Sequence, residues 1–130
     1  MRTVIIDGVE MTFHEAHQHL WNWLAENSGK DKEDYFESHD VSIYILHKCF
    51  ACSICNGNCK LCPIVKWRKC VEGTKRASTC FEFMDSEGRM HTGIFEQWSQ
   101  LMDNERFDEA CEIAKEIANL EWEEVRENIK

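Results

Sequence analysis

Two short apolar-rich runs flank an Asp–Gly pair in the first dozen residues, which is the pattern of a β-hairpin. Thr3–Ile6 and Val9–Met11 are the two apolar-rich runs, and Asp7 and Gly8 lie between them. An Asp–Gly pair readily adopts the positive φ angles that a two-residue hairpin turn needs. The sequence therefore predicts a short antiparallel hairpin near the N-terminus.

The pattern changes to helical spacing after the hairpin. Thr12 followed by Glu15 is the capping-box signature that precedes many helices. We expect the helix to run from about Phe13 to Asn27, and Gly29 follows where a left-handed residue often ends a helix. The residues spaced to form its apolar face are Phe13, Ala16, Leu20, Trp23 and Leu24.

Two further helices are indicated towards the C-terminus. Gly93 precedes one that is predicted to run from about Ile94 to Met102. The clearest helical pattern follows, from Glu105 to about Asn119, because its apolar residues repeat close to the 3.6-residue period. The same apolar stripe continues past Leu120, which is compatible with a longer helix.

The middle of the chain gives weaker signals. Lys30–Glu37 is highly charged and is predicted to form a short helix that turns its two aromatic residues inward. Val41–Leu46 fits either a strand or a helical turn. Cys80–Phe83 and Arg89–His91 are the predicted strands of a second small hairpin.

Length and composition indicate one domain. A chain of 130 residues with 43% hydrophobic residues can bury a sizeable core. Its longest apolar stretch, Val41–Leu46, is too short to span a membrane, and the N-terminus lacks the apolar run of a signal peptide. We therefore expect a single domain over residues 1–130, a cytoplasmic location and no membrane partner.

Charge is unevenly divided along the chain. The formal net charge is −9, yet residues 47–76 contain seven basic residues and only one acidic residue, Glu72. This basic segment carries +6, so the remainder of the chain carries −15. Overall acidity disfavours general affinity for nucleic acid, whereas the basic segment alone would favour it.

The most informative feature is a cluster of cysteines. Five of the eight cysteines fall within fourteen residues, and they include two C-x-x-C pairs separated by six residues. In a reducing cytosol, such clusters are more often metal ligands or redox groups than disulfides. Two C-x-x-C turns supply the four thiolates of a closed, tetrahedral, structural zinc site. The predicted ligands are Cys49, Cys52, Cys59 and Cys62, and the alternates are Cys55, Cys70 and Cys80.

Two other chemistries fit part of the same stretch. Cys49, Cys52, Cys55 and Cys59 have the spacing of a bacterial iron–sulfur run. The proline expected after the fourth cysteine is replaced by Lys60, and a second run is absent. The third possibility is a metal-free thiol or disulfide switch at Cys49 and Cys52, although no βαβ pattern surrounds the pair.

The remaining candidates favour ordinary structural roles. The histidines of the first helix, His14, His17 and His19, are expected on a solvated face, since Gln18 replaces the second histidine of an H-E-x-x-H motif. Cys111 is expected as a small buried hydrophobe. The sequence contains no nucleophile elbow, P-loop or dinucleotide fingerprint, and a closed four-thiolate site leaves no position for substrate, so we expect no enzyme activity.

The basic segment could also bind nucleic acid. Basic residues interleaved with an aromatic residue can hold a phosphate and stack a base. In residues 60–76 the candidates are Lys66, Trp67, Arg68 and Lys69. The alternative is that these charges are solvated and balance the nearby thiolates.

Several short motifs occur together over residues 13–120. They are Trp21–Leu24, Cys49–Cys52, Cys59–Pro63, Phe95 with Trp98, and Ala114 with Ile117, Ala118 and Leu120. In this combination the chain resembles a group of small cysteine-containing proteins encoded by phages and prophages of Gram-positive bacteria. Most of these proteins have no assigned function, so the resemblance implies a biological context and no mechanism. Cys55 and Cys70 depart from the group's pattern, which leaves the choice of four ligands open.

The sequence thus predicts a small α+β domain that is mostly helical. It would have a short N-terminal hairpin and a metal-stapled cysteine-rich lobe at about residues 47–83. The expected function is non-enzymatic: a zinc-stabilised adaptor or inhibitor that binds another protein. If the chain is phage-derived, that partner would belong to the host or to its defence machinery. The alternatives are a nucleic-acid-binding zinc protein that uses residues 60–76 and an iron–sulfur redox protein.

Overall fold

The fold is mixed α+β and mostly helical, with a two-stranded hairpin at its N-terminus, as the sequence predicts. The structure, a computed structural model, describes residues 3–43, 45, 48–55, 64, 82–84, 90–120 and 122. The elements in chain order are β1 (Thr3–Ile6), β2 (Val9–Thr12), α1 (Phe13–Glu26), α2 (Lys32–Ser38), α3 (Phe50–Cys55), β3 (Glu82–Met84), β4 (Met90–Thr92), α4 (Ile94–Asp103) and α5 (Phe107–Ala118). Among the described residues, no helix is long and apolar enough to cross a membrane.

The N-terminal hairpin is formed by β1 and β2, with Ile6 paired to Val9 beside the turn. Asp7 and Gly8 have φ angles of 51° and 84°, as the two central residues of a type I′ turn require. Val4 and Ile6 face the core and are buried. The prediction of this hairpin is confirmed.

The outer edge of β1 is covered by a segment that follows α2. The amide of Asp7 donates to the carbonyl of Asp40 (2.8 Å), and the amide of Ser42 donates to the carbonyl of Ile5 (2.9 Å). Val41 forms an isolated β-bridge with Ile6. The segment that the sequence left undecided therefore begins as a strand-like edge, and its first residues satisfy backbone groups that β1 would otherwise leave open.

The first helix begins as predicted, and it buries four of the five residues of the predicted apolar face, with Trp23 as the exception. Both hydrogen bonds of the capping box are present, with the Thr12 hydroxyl accepting from the Glu15 amide (3.1 Å). Trp23 was expected in the apolar face but is only partly buried, whereas Trp21 is 2% exposed. Trp21 is buried because it meets Trp98 of α4, with the ring centroids 5.0 Å apart.

The core lies between α1, α4 and α5. Small residues on α5 allow it to approach α1 closely, and Ala110, Ala114 and Ala118 are all buried. Trp122, beyond the end of α5, is also buried. Cys111 is half-buried rather than buried, and its thiol approaches the Leu24 carbonyl at 3.8 Å.

The other predicted elements are present with small shifts of their ends. The short helix is α2, which buries Tyr35 and half-buries Phe36. The second hairpin pairs β3 with β4, and Phe83 lies opposite His91. The last helix ends at Ala118, and Leu120 and Trp122 are not helical, so the longer helix that the sequence allowed is not formed there. Residues 121 and 123–130 lie outside the described residues.

Candidate metal centre

The structure describes two of the four predicted zinc ligands, Cys49 and Cys52. The alternate ligand Cys55 is the last residue of α3, and the structure describes its backbone. The other predicted or alternate ligands lie outside the described residues: Cys59, Cys62, Cys70 and Cys80. The same holds for the four candidate residues for nucleic-acid binding, Lys66, Trp67, Arg68 and Lys69.

The first C-x-x-C pair is anchored to the helical body by the two residues between its cysteines. Phe50 and Ala51 are both fully buried. The Phe50 ring lies 6.0 Å from Phe13 at the start of α1, measured between centroids. Cys49 and Cys52 are half-buried, so the core holds the middle of the pair while both cysteines keep some exposure.

The sulfur of Cys49 lies where α3 begins and accepts hydrogen bonds there. The amide of Cys52 donates to Cys49 Sγ at 3.5 Å. A hydrogen bond from the Cys52 side chain, together with the charge of Lys32 and backbone amides, lowers the pKa of Cys49 to about 6 despite burial. A thiolate is the form that binds a metal, so the geometry favours ligation at neutral pH.

Lys32 supplies the positive charge beside this pair. Its ammonium group lies 4.3 Å from the ring centroid of Phe95 and 5.4 Å from that of Trp21. The charge is therefore held over the aromatic residues that join α2 to α4 and α1. A fixed cation of this kind helps to offset the negative charge of a site made of thiolates.

The backbone just before the pair is in an unusual conformation. Lys48 has a φ angle of 52°, its amide donates to the Ile45 carbonyl (3.0 Å), and its side chain pairs with Glu33 (3.0 Å). A side chain in the left-handed region costs about 1 kcal/mol or more, unless the residue is glycine. This turn directs the chain from buried Ile45 into α3 and so sets the position of Cys49.

We expect Lys48→Gly to be more stable than Lys48→Val by about 1 kcal/mol, measured by urea denaturation. Both variants lose the ion pair with Glu33, so their difference isolates the backbone term. The matched control is the same pair of substitutions at Ser28, an exposed turn residue outside the left-handed region. A valine variant as stable as the glycine variant at Lys48 would contradict the assigned backbone conformation.

The donor set of the described pair fits a zinc site in its chemistry. Two cysteine sulfurs three residues apart, one with a lowered pKa and an amide donor, are typical of one half of a structural zinc centre. Ile64, two residues after the predicted ligand Cys62, is buried in the same core as Phe50. Among the described residues, no group of three or more His, Cys, Asp or Glu side chains is placed to hold a metal ion.

The prediction of a solvated histidine face is wrong for His17. His17 is 1% exposed, and its Nε2 donates to the Ile117 carbonyl at 2.9 Å, which joins α1 to the end of α5. Burial is the main cause that lowers its pKa to about 3, so the imidazole is neutral. His14 is half-buried and stacks on Trp122, and only His19 is exposed as expected. The missed signal is that His17 lies four residues after Phe13 and three before Leu20, within the apolar face.

A second polar cluster surrounds Tyr35 and was not predicted. The Tyr35 hydroxyl and Nδ1 of His19 are joined by a hydrogen bond of 2.7 Å. His39 stacks on the Tyr35 ring at 4.1 Å, and its Nε2 lies 3.9 Å from Asp7 Oδ2. Burial raises the pKa of Tyr35, so its hydroxyl stays protonated. These contacts join α1, α2 and the hairpin turn, which is a structural role.

Comparisons with protein-family models, with curated proteins and with solved structures find no match to this chain.

Proposed function

We propose that this chain is a zinc-stabilised adaptor or inhibitor that binds another protein and has no catalytic activity of its own. The metal would be held by Cys49 and Cys52 together with Cys59 and Cys62. It would staple the cysteine-rich lobe to the helical body. The resemblance to phage and prophage proteins is the ground for expecting the partner among host or defence proteins.

The observation that carries this proposal is the anchoring of Cys49 and Cys52. The buried Phe50 and Ala51 fix the pair against α1, and the Cys52 side chain, the charge of Lys32 and backbone amides lower the pKa of Cys49. A rigid, partly exposed pair of sulfurs suits a permanent structural ligand. When bound, zinc would cross-link the two C-x-x-C turns, whose four cysteines lie within fourteen residues of the chain.

The metal part is tested by elemental analysis of freshly purified protein handled without oxygen, together with a visible spectrum. We expect about one zinc per chain and no visible band. Replacement of zinc by Co²⁺ should give the absorption of a tetrahedral thiolate site, and Cys49→Ser should weaken it. Iron with sulfide and a broad visible band would replace the proposal with the iron–sulfur alternative.

The protein-binding part is tested by affinity capture from a lysate of a Gram-positive host. We expect one partner in stoichiometric amount that is retained by the wild-type chain and lost by Cys49→Ser, with Cys111→Ser as the matched control. Failure to retain any specific protein would count against an adaptor. Retention of nucleic acid that weakens when Lys66, Arg68 and Lys69 are neutralised would favour the nucleic-acid alternative.

A further inference from the structure

A groove with an apolar floor and an acidic rim lies between the start of α2 and the turn that joins α4 to α5. We call it the Phe107 groove, and its volume is about 500 Å³. Its floor is formed by Trp98, Met102 and Phe107. Its rim carries Asp31, Glu33, Asp103 and Glu105.

The turn between the helices gives the groove its shape. Glu105 has a φ angle of 58°, and the amide of Arg106 donates to the Leu101 carbonyl at 2.9 Å, so the chain reverses within three residues. Phe107 therefore begins α5 beside the end of α4. Its ring lies over Gly29, where a side chain would meet the ring at 3.8 Å. A smaller groove of about 350 Å³ shares Glu105 and Phe107 with it.

The charge on the rim is not balanced within the described part of the chain. Glu33 pairs with Lys48, and Asp31 caps α2 through the amide of Asp34. Asp103 and Glu105 are exposed and have no ion pair among the described residues. Lys32 also lines the groove, but its ammonium is held over Phe95. The rim thus presents excess negative charge above aromatic and thioether surface.

We infer that the Phe107 groove receives an arginine or lysine side chain from a basic segment of the partner protein. The apolar stem of such a side chain can lie on Met102 and Phe107, while its cation meets the carboxylates of Asp103 and Glu105. Aromatic faces add cation–π attraction for the same group. The inference rests on the proposed protein-binding function and adds the chemistry of the partner.

The test uses the full-length chain and a short fluorescein-labelled peptide of arginine and leucine residues. The matched peptide has glutamine in place of each arginine. We expect saturable binding of the arginine peptide by fluorescence anisotropy, and little binding of the glutamine peptide. In ¹⁵N–¹H spectra the perturbed signals should centre on Gly29, the Trp98 indole and Glu105.

The decisive variant is Asp103→Asn with Glu105→Gln, which alters exposed side chains and leaves the core intact. We expect it to bind the arginine peptide about tenfold more weakly. The control is Glu10→Gln with Glu116→Gln, which changes the net charge equally at exposed sites outside the groove, and should change affinity by less than about twofold. Equal weakening by both pairs would reduce the effect to overall charge and overturn the inference.

Two further outcomes separate this inference from its alternatives. In the first, the arginine peptide binds only after Lys66, Arg68 and Lys69 are replaced by glutamine. That result would mean that this chain's own basic segment occupies the groove, and it would overturn the inference of a partner protein. Zinc content is measured in every preparation. A wild-type protein that binds the peptide but contains no zinc would count against the metal centre alone. A wild-type protein that contains zinc but does not bind the peptide would count against the groove alone.

Discussion

Replacing Cys49 by serine is expected to abolish stoichiometric zinc binding and to lower the free energy of unfolding by several kcal/mol. Zinc binding to a structural site stabilises the folded state by on the order of 10 kcal/mol, which is comparable to the whole stability of a small domain. The variant also loses the sulfur that accepts a hydrogen bond from the Cys52 amide at the start of α3. We would measure zinc per chain and the midpoint of thermal unfolding.

The control for this result is Cys111→Ser. Cys111 is half-buried in α5, and serine keeps a donor for the Leu24 carbonyl. Adding a chelator should lower the unfolding midpoint of the wild type and of this control, but leave Cys49→Ser unchanged. A Cys49→Ser protein that retains one zinc and unfolds at the wild-type temperature would exclude Cys49 as a ligand.

The second large effect concerns His17 and acid. The unfolded chain binds a proton at this imidazole below about pH 6.5, whereas the folded chain resists protonation until about pH 3. The stability that neutral His17 confers is therefore fully present above pH 6.5 and is lost as the pH falls towards 3. Between pH 7 and pH 5 the loss attributable to His17 should be about 2 kcal/mol.

Urea denaturation of the wild type and of His17→Gln at several pH values measures this loss. Glutamine can still donate to the Ile117 carbonyl but does not titrate, so its stability should fall less steeply with acid. Proton release linked to metal binding affects both proteins alike and cancels in the comparison. His19→Gln is the control, since His19 is exposed. This variant should retain most of the wild-type dependence of stability on pH. Parallel pH profiles for the wild type and His17→Gln would contradict a buried neutral imidazole.

Local signals were sufficient for the hairpin and for the start of the first helix. The turn at Asp7 and Gly8 and the cap at Thr12 depend on residues within a few positions of each other, so the sequence specifies them directly. The helix face was harder to predict. Trp21 and Trp23 are two residues apart, and the contact with Trp98 of α4 decides which of them is buried more deeply.

His17 and the metal centre illustrate the same limit. A pattern that counts histidine as polar does not predict a hydrogen bond from His17 to the Ile117 carbonyl of α5, which lies one hundred positions further along the chain. The spacing of Cys49 and Cys52 predicted a pair of ligands. It did not predict that the residues between them are core residues, because the burial of Phe50 depends on Phe13 and Phe36. The Phe107 groove likewise depends on how α2 packs beside the turn between α4 and α5, and no local motif predicts it.

The burial of Ala51 and Ile64 has a consequence for the entropy of metal binding. These two residues enclose the twelve positions that contain Cys52 and Cys62, and both are fixed in the core. Because the folded core already holds both ends of this loop, the proposed metal would bind without the full entropy cost of closing it. Metal affinity and core packing would thereby be linked, so under the proposed zinc site a substitution that loosens Ile64 should release zinc more readily although Ile64 is not a ligand.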